Sequence, residues 1–291
     1  MDIEFYRNFL TIVNAGSISA AAKRLAIAQP ALSNQLKILN KHIGAPLLNV
    51  KRGGHFLELT EEGKIFYNKA QYICGMEDAA LKEIKDVQNG SGGTLRISLS
   101  PSMSISVIKT YLTGFTKLNP KINFELFEAS PDEQLKQLLS SETEIGVTNG
   151  PLKQPFLFET INQKRENLVA LFHKKSPYIS SKSVLLLEDL EKMPLCLSRG
   201  CAELFNTICQ EQHISTHILS ITTTKLSAIA WAEQNIGIAI VPTFKGEIFP
   251  KNLIMKTIKH PRLYLTTTIS FVKDRPLSAV AKLFLDYLNN K

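Results

Sequence analysis

Between Gln29 and Lys41 the residues Gln29, Pro30, Ser33, Asn34, Lys37 and Lys41 fall on one side of a predicted helix. Leu32, Leu36, Leu39 and Ile43 recur at i, i+4, i+7 and i+11 on the other side. Hydroxyl and amide groups read the hydrogen-bonding edges of bases, and lysines hold phosphates. A helix with this polar, cationic face and an apolar back fits a major groove. The plainer alternative is an amphipathic helix with a solvated face. A second set of reactive groups lies far downstream. "SPSMS" (Ser100–Ser104) and "SRG" (Ser198–Gly200) each stand between a strand and the start of a helix. Free N–H groups and hydroxyls converge at such points and accept anions, and Arg199 adds a guanidinium able to grip a carboxylate.

Other constellations do not add up to catalysis. Ser, His and Asp are present without a nucleophile-elbow sequence, and no glycine-rich phosphate loop occurs. His213 and His217 are four apart, but a helix end is expected between them and no third ligand is evident, so neither a metal nor another cofactor is expected. The chain reads as a non-enzyme. Its 291 residues, 44% hydrophobic and 21% charged, suffice for two or three domains. The apolar runs near Ile236–Pro242 and Val184–Leu187 are far too short to span a bilayer, so no membrane is expected as a partner. Asp2 and Glu4 stand where a signal peptide needs a basic start, and four cysteines do not make a disulfide framework, so a cytoplasmic location is expected.

The basic surplus is local. Met1–Arg52 carries a net charge of +5, whereas Gly53–Asn89 carries −3. The first block supplies the elements that must hold the polar helix. Asp2 can cap a helix bearing Phe5, Phe9, Ile12 and Val13, which Gly16 ends. Ser17 or Ser19 can cap a short second helix whose Ala21, Ala22 and Leu25 face inward. Small side chains there let a supporting helix approach closely, leaving Lys23 and Arg24 outside. Pro30 lies in the first turn of the third helix, where its missing N–H costs nothing. "PLLNVKRGGHFLELT" then makes two short β-like runs around a turn, a wing with Lys51 and Arg52 at its tip for phosphates or a minor groove. Thr60 caps a long helix over 61–88, roughly 42 Å at 1.5 Å per residue. Its Phe66, Ala70, Ile73, Met76, Ala80, Ile84 and Val87 keep close to a 3.5-residue period, a seam for pairing with a second copy. "NGSGG" (89–93) is a flexible hinge.

These residues resemble the LysR-type transcriptional regulators over the full chain. The resemblance rests on Phe9, Gly16-Ser17, Ala21-Ala22, Leu25, Gln29-Pro30-Ala31-Leu32-Ser33, Gln35, Leu39, Gly44, Leu47, Leu59-Thr60 and Gly63. Asn40 stands where that family usually has Glu, and Leu48 and Val50 replace its usual Phe and Arg, leaving Lys51 or Arg52 to supply the phosphate contact of that Arg. The resemblance implies an α+β multidomain bacterial protein. A winged helix-turn-helix domain (1–60) and a coiled-coil linker helix (61–88) would precede the hinge. An effector-binding domain (94–291) would follow, built as two α/β lobes like a type 2 periplasmic binding protein, one about 94–161 with 268–291 and the other about 162–267. It also implies double-stranded DNA at a partly palindromic promoter site, RNA polymerase, and a homodimer through 61–88 assembled into a homotetramer. Ser17, Lys23, Arg24, Gln29, Pro30, Ser33, Asn34, Lys37, Lys41, Lys51 and Arg52 form the expected DNA-binding set.

Beyond the hinge, strand and helix patterns alternate, as in parallel sheets covered by helices. They include "TLRISLS", a helix over 104–119, "INFELFEA", a helix over 132–141, "EIGVTN", a crossover near 160–163, "NLVALFH", "PLCLS", a helix over 201–212, "ILSITTT", a helix over 226–235, "GIAIVP", "YLTTTISFV" and a helix over 277–290. By the resemblance a small effector sits between the lobes, where strand ends meet helix starts. Its expected contacts are Ser100, Ser102, Met103, Ser130, Thr148, Asn149, Ser198, Arg199, Gly200, Thr223 and Thr224, and a carboxylate is the favoured chemistry. Asn235 occupies a common Gly position of the family and is expected to end its helix in the left-handed region. Two alternatives stand beside this. Cys201 and Cys209 bracket the segment where peroxide-sensing members carry a redox pair, with a separation that differs by one. On one helix they would lie about 12 Å apart, beyond the roughly 7 Å a disulfide spans. The other alternative, a ligand-binding or transport protein on the same fold, leaves the basic helical block unexplained.

Overall fold

The computed structural model describes residues 2–50, 57–90, 92–244 and 246–290, except for the side chains of Val50, Asn162, Gln163 and Lys164. The chain divides into two compact units, Met1–Ser91 with Lys136–Thr143, and Gly92–Leu135 with Glu144–Lys291. No helix among the described residues is long and apolar enough to cross a membrane.

The first unit opens with α1 (Glu4–Ala15), α2 (Ile18–Leu25) and α3 (Gln29–Ile43), followed by the antiparallel pair β1 (Leu48–Val50) and β2 (Leu57–Leu59), and α4 (Glu61–Gln88). The wing tip with Lys51 and Arg52 lies outside the described residues. Each helix start has a cause in the sequence. Asp2 accepts a hydrogen bond from the Glu4 N–H, and Ser17, not Ser19, caps α2 by accepting from the Ala20 N–H at 3.1 Å. Thr60 caps α4 through the Gly63 N–H at 2.9 Å and donates its own hydroxyl to the Pro46 carbonyl. Phe9, Ile12, Ala21, Ala22, Leu32, Leu36 and Leu39 form the core. Ile43, expected on that stripe, is exposed: it is the last residue of α3, a full turn past Leu39 and beyond the end of the core.

The α4 seam also differs from expectation over its first turns. Phe66 meets Tyr6 and Phe9 edge-on, with ring centroids 5.1 and 5.2 Å apart, and Ala70 is fully buried. Arg7 of α1 clamps Glu77 and Asp78 at 2.7 Å each, and those carboxylates hold its guanidinium charged by raising its pKa. The seam is therefore partly consumed within the chain, leaving Ile73, Ala80, Ile84 and Val87 exposed.

The second unit begins with β3 (Thr94–Leu99). A helix follows as α5 (Ser104–Val107), a π-helical turn (Ile108–Leu112) and α6 (Thr113–Leu118), so the expected continuous helix is locally underwound and widened in its middle. Next come β4 (Asn123–Glu128), α7 (Pro131–Leu139), which enters the first unit's segment, and β5 (Ile145–Asn149). The chain continues through β6 (Phe158–His173), β7 (Val184–Leu185), β8 (Pro194–Ser198), α8 (Arg199–Glu211), β9 (His217–Thr222), α9 (Lys225–Glu233), β10 (Ile238–Thr243), β11 (Leu253–Ile258), β12 (Tyr264–Val272) and α10 (Ala279–Asn289). The strands β7 and β11 escape the sequence reading: β7 has only two residues, and the buried Lys256 breaks the apolar pattern of β11. Asn235 adopts φ 58°, the left-handed turn expected of it.

All these strands share one sheet, ordered β4-β3-β5-β12-β6-β10-β8-β9 along its main path. Parallel pairing occurs at the flanks, as β4-β3-β5 and β10-β8-β9, and in the side pair β11-β7. In the middle, β6 and β12 pair antiparallel with each other and with their neighbours. The crossover expected near 160–163 is a continuous part of β6, because β12 supplies backbone partners on either side of it. One register shift falls between Thr266 and Thr268, a bulge where the paired strands pass from one core to the other. The first core packs Leu95, Ile97, Leu99, Phe115, Ile269 and Phe284, and the second packs Leu168, Phe172, Leu197, Phe205, Ile208 and Ile240.

Two stability predictions follow from this packing. Ala ordinarily stabilises a helix by about 1 kcal/mol over Gly, but a Cβ on Gly63 would sit 1.9 Å from the Leu47 carbonyl oxygen. Gly63→Ala should therefore cost about 1–3 kcal/mol in urea unfolding; a stabilised variant would contradict the packing. Glu166 is buried, accepts from the Ser106 hydroxyl at 2.8 Å, and burial raises its carboxyl above the ordinary range. It binds its proton more tightly folded than unfolded, so its contribution is largest at low pH and fades as pH rises through the folded value. Glu166→Gln should melt higher than the wild type at pH 8, with the gap closing toward pH 4. A gap that stays constant with pH would contradict this.

Candidate functional site

Within the second unit the C-terminal ends of β3, β5 and β8 converge on a cavity of about 410 Å³. Ser100, Ser102, Ser130, Thr148, Asn149, Arg199, Gly200 and Thr223 line it, as the sequence leads one to expect. Three expected contacts are elsewhere. Met103 is packed in the first core. Ser198 is fully buried beneath the start of α8, with its hydroxyl 3.3 Å from the Cys201 sulfur. Thr224 caps α9 through the Ser227 N–H. The sequence reading missed Pro101, Ala129, Pro131, Pro151 and Glu203. Glu203 had a signal, since it lies one helical turn after Arg199 and so shares its face. A wider opening of about 580 Å³ adjoins the cavity through Asn149, Pro151, Gly200 and Glu203 and runs toward Thr207 and Tyr264.

The walls are set by close backbone approach and buried hydrogen bonds. A Cβ on Gly200 would fall 2.5 Å from the Ser102 Oγ and 2.7 Å from the Asn149 Nδ2, so only glycine allows the α8 start to come this near the first lobe. Gln134, fully buried, donates from Nε2 to the Ala129 carbonyl at 3.0 Å and to Ser100 Oγ at 3.3 Å, fixing one wall. Both polar atoms of the Asn149 amide are buried without any hydrogen-bond partner. Such groups cost free energy unless something pairs with them. No side chain caps α8, because the Ser198 hydroxyl is directed to sulfur, so the positive end of a 13-residue helix opens at the cavity.

The first unit presents the other candidate surface. Lys23, Arg24, Gln29, Pro30, Asn34, Lys37 and Lys41 are exposed, and Ser33 is half-buried. Ser33, Asn34 and Lys37 have no intramolecular side-chain partner among the described residues. Gln29 accepts from Ser19 at 2.7 Å, which ties the start of α3 to α2, and the hydroxyl of Ser17 is occupied as a helix cap. Gln35, between the two faces, accepts from the buried Asn8 amide at 2.7 Å and locks α3 against α1.

Cys201 and Cys209 are both buried in α8, and burial pushes each thiol up to about 11. A reactive thiol needs the opposite shift. Among the described residues no cluster of His, Cys, Asp and Glu is placed to hold a metal.

Comparison with known proteins assigns a family to both parts of the chain. Residues 3–64 match the model of the bacterial regulatory helix-turn-helix protein, lysR family, and residues 88–291 match that of the LysR substrate binding domain. The HTH-type transcriptional regulator AlsR of Bacillus subtilis (strain 168) is 25% identical over 94% of this chain and 91% of its own. BudR of Raoultella terrigena, also an HTH-type transcriptional regulator, is 27% identical over 83% of this chain and 84% of its own. Among solved structures, the fold is similar to that of the LysR family regulator CbnR, with a TM-score of 0.66 at 21% identity, covering 100% of this chain and 99% of that one. The chain belongs to the LysR family of transcriptional regulators, with an N-terminal DNA-binding helix-turn-helix and a C-terminal effector-binding domain.

Proposed function

We propose that this regulator binds a partly palindromic promoter site as a cytoplasmic homo-oligomer, with α3 in the major groove and a small carboxylate-bearing effector in the two-lobed cavity. The observation that carries the DNA part is the polar face of α3, whose Ser33, Asn34 and Lys37 have no side-chain partner among the described residues. Pro30 and Gln29 open that helix, and Lys23, Arg24 and Lys41 flank it at positions suited to phosphates. CbnR, which shares the fold, has been solved with its target DNA. Residues 1–60 thus serve as the DNA-binding domain and α4 as the pairing arm, with Ile84 and Val87, 55% and 76% exposed, covered by a second copy. A dimer places two α3 helices on successive turns of one DNA face. Assembly into a tetramer and contact with RNA polymerase extend the same reading by family. The carboxylate is favoured by Arg199 and by the uncapped start of α8. Effector binding then shifts the population of two arrangements of the assembly.

Substitutions should separate base reading from phosphate holding. Asn34→Ala should lose about 1–3 kcal/mol at one or two base positions and leave other sequences nearly unaffected. Lys23→Ala should weaken all duplexes alike and reduce the salt slope by about one. Anisotropy titrations over a set of single-base operator variants measure both, and equal losses for both mutants on every duplex would reject the assignment. Ile84→Glu combined with Val87→Glu should convert the oligomer to a smaller species in analytical ultracentrifugation; an unchanged mass would remove α4 as the pairing arm.

A further inference from the structure

The cavity is lined by two charged side chains among the described residues, Arg199 and Glu203, and they have opposite sign. They stand one turn apart on α8, yet no ion pair joins them and neither has a partner elsewhere in the described chain. Their order also disfavours pairing, since a base placed before an acid at this spacing runs against the helix dipole. A bare carboxylate fits only half of this wall. Held by Arg199 and the α8 start, it would leave the Glu203 carboxylate on the same helix face without a counter-charge. A ligand with an ammonium group as well satisfies both charges. The unpartnered Asn149 amide offers a donor and an acceptor beside them, and so matches a ligand bearing both kinds of polar group. The rest of the wall includes Pro101, Ala129, Pro131 and Pro151, which leaves room for an uncharged side chain.

We infer that the effector is a small zwitterion with the chemistry of an α-amino acid, its carboxylate on Arg199 and the α8 start and its ammonium on Glu203. This rests on the cavity being the effector site. Glu203 is then the residue that separates amino acids from simple carboxylates.

The test uses the full-length chain with each of the twenty protein amino acids, and with the deaminated acids and decarboxylated amines that match those that bind (for leucine, 4-methylpentanoate and 3-methylbutylamine). Calorimetry follows a thermal-shift screen. At least one amino acid should bind, at least tenfold more tightly than its deaminated and decarboxylated partners. Glu203→Gln, at an exposed position that tolerates the change, should weaken the amino acid at least tenfold and leave the deaminated acid's affinity equal or improved. Arg199→Ala should weaken both. Deaminated acids that bind as well as amino acids, and lose affinity in Arg199→Ala, would overturn the zwitterion and keep the cavity. Amino-acid binding indifferent to both substitutions would overturn the zwitterion and the cavity together, and no binding by any of the twenty would overturn the zwitterion.

Discussion

A cavity wall built from two separate hydrophobic cores requires a covalent frame common to both, and here that frame is the pair of strands β6 and β12. Each pairs with the other through both cores, with a single bulge where the register shifts. Because these strands are continuous, the ends of β3 and β5 from one core and of β8 from the other are held opposite each other across the cavity. The approach is close enough that a methyl group on Gly200 would collide with Ser102 and Asn149. Two buried polar contacts lie along the same frame. Ser106 of α5 donates to Glu166 of β6, and Lys225 at the start of α9 pairs with Glu247 at 2.6 Å. Burial lowers the Lys225 ammonium, with Glu247 opposing the shift. Buried charges of this kind add little net stability, but they penalise any arrangement that separates them.

The first unit solves a different problem. One helix must be anchored firmly while half of it is left without a partner. Leu32, Leu36 and Leu39 supply the anchor, the alanines of α2 allow close approach behind it, and Asn8–Gln35 fixes its rotation. The Arg7 clamp on Glu77 and Asp78 joins α1 to α4, so the readout helix and the exposed seam share one core. Both surfaces have the same physical character: some of their polar groups, Asn149 and Arg199 on one and Ser33, Asn34 and Lys37 on the other, are held in place yet have no side-chain partner among the described residues.

Much of this is legible in the sequence because it is local. The α3 stripe, the caps at Ser17 and Thr60, the span of α4 and the left-handed Asn235 all follow from residues within a few positions of one another. What stays hidden depends on distant partners. Nothing local says that β6 runs unbroken, since its continuity comes from pairing with β12, about a hundred residues later by chain spacing. Ile43 obeys the apolar period but overruns the core, and Phe66 and Ala70 obey the seam period but are claimed by α1. At the cavity, strand-to-helix junctions identify most of the wall, whereas Met103, Ser198 and Thr224 share those junctions and turn inward or cap a helix. The prolines carry no chemical signal and could be found only from the assembled wall.

The central claim is that the outward side of α3, where Ser33, Asn34 and Lys37 have no side-chain partner among the described residues, is occupied by duplex DNA. Fluorescence anisotropy of the full-length protein on its own upstream region, against a scrambled duplex of equal length, tests this most directly across a range of salt concentrations. The account predicts binding to the upstream region at least about 10³-fold tighter than to the scrambled duplex, with log affinity falling linearly in log salt. Equal affinity for both duplexes, or affinity indifferent to salt, would contradict it.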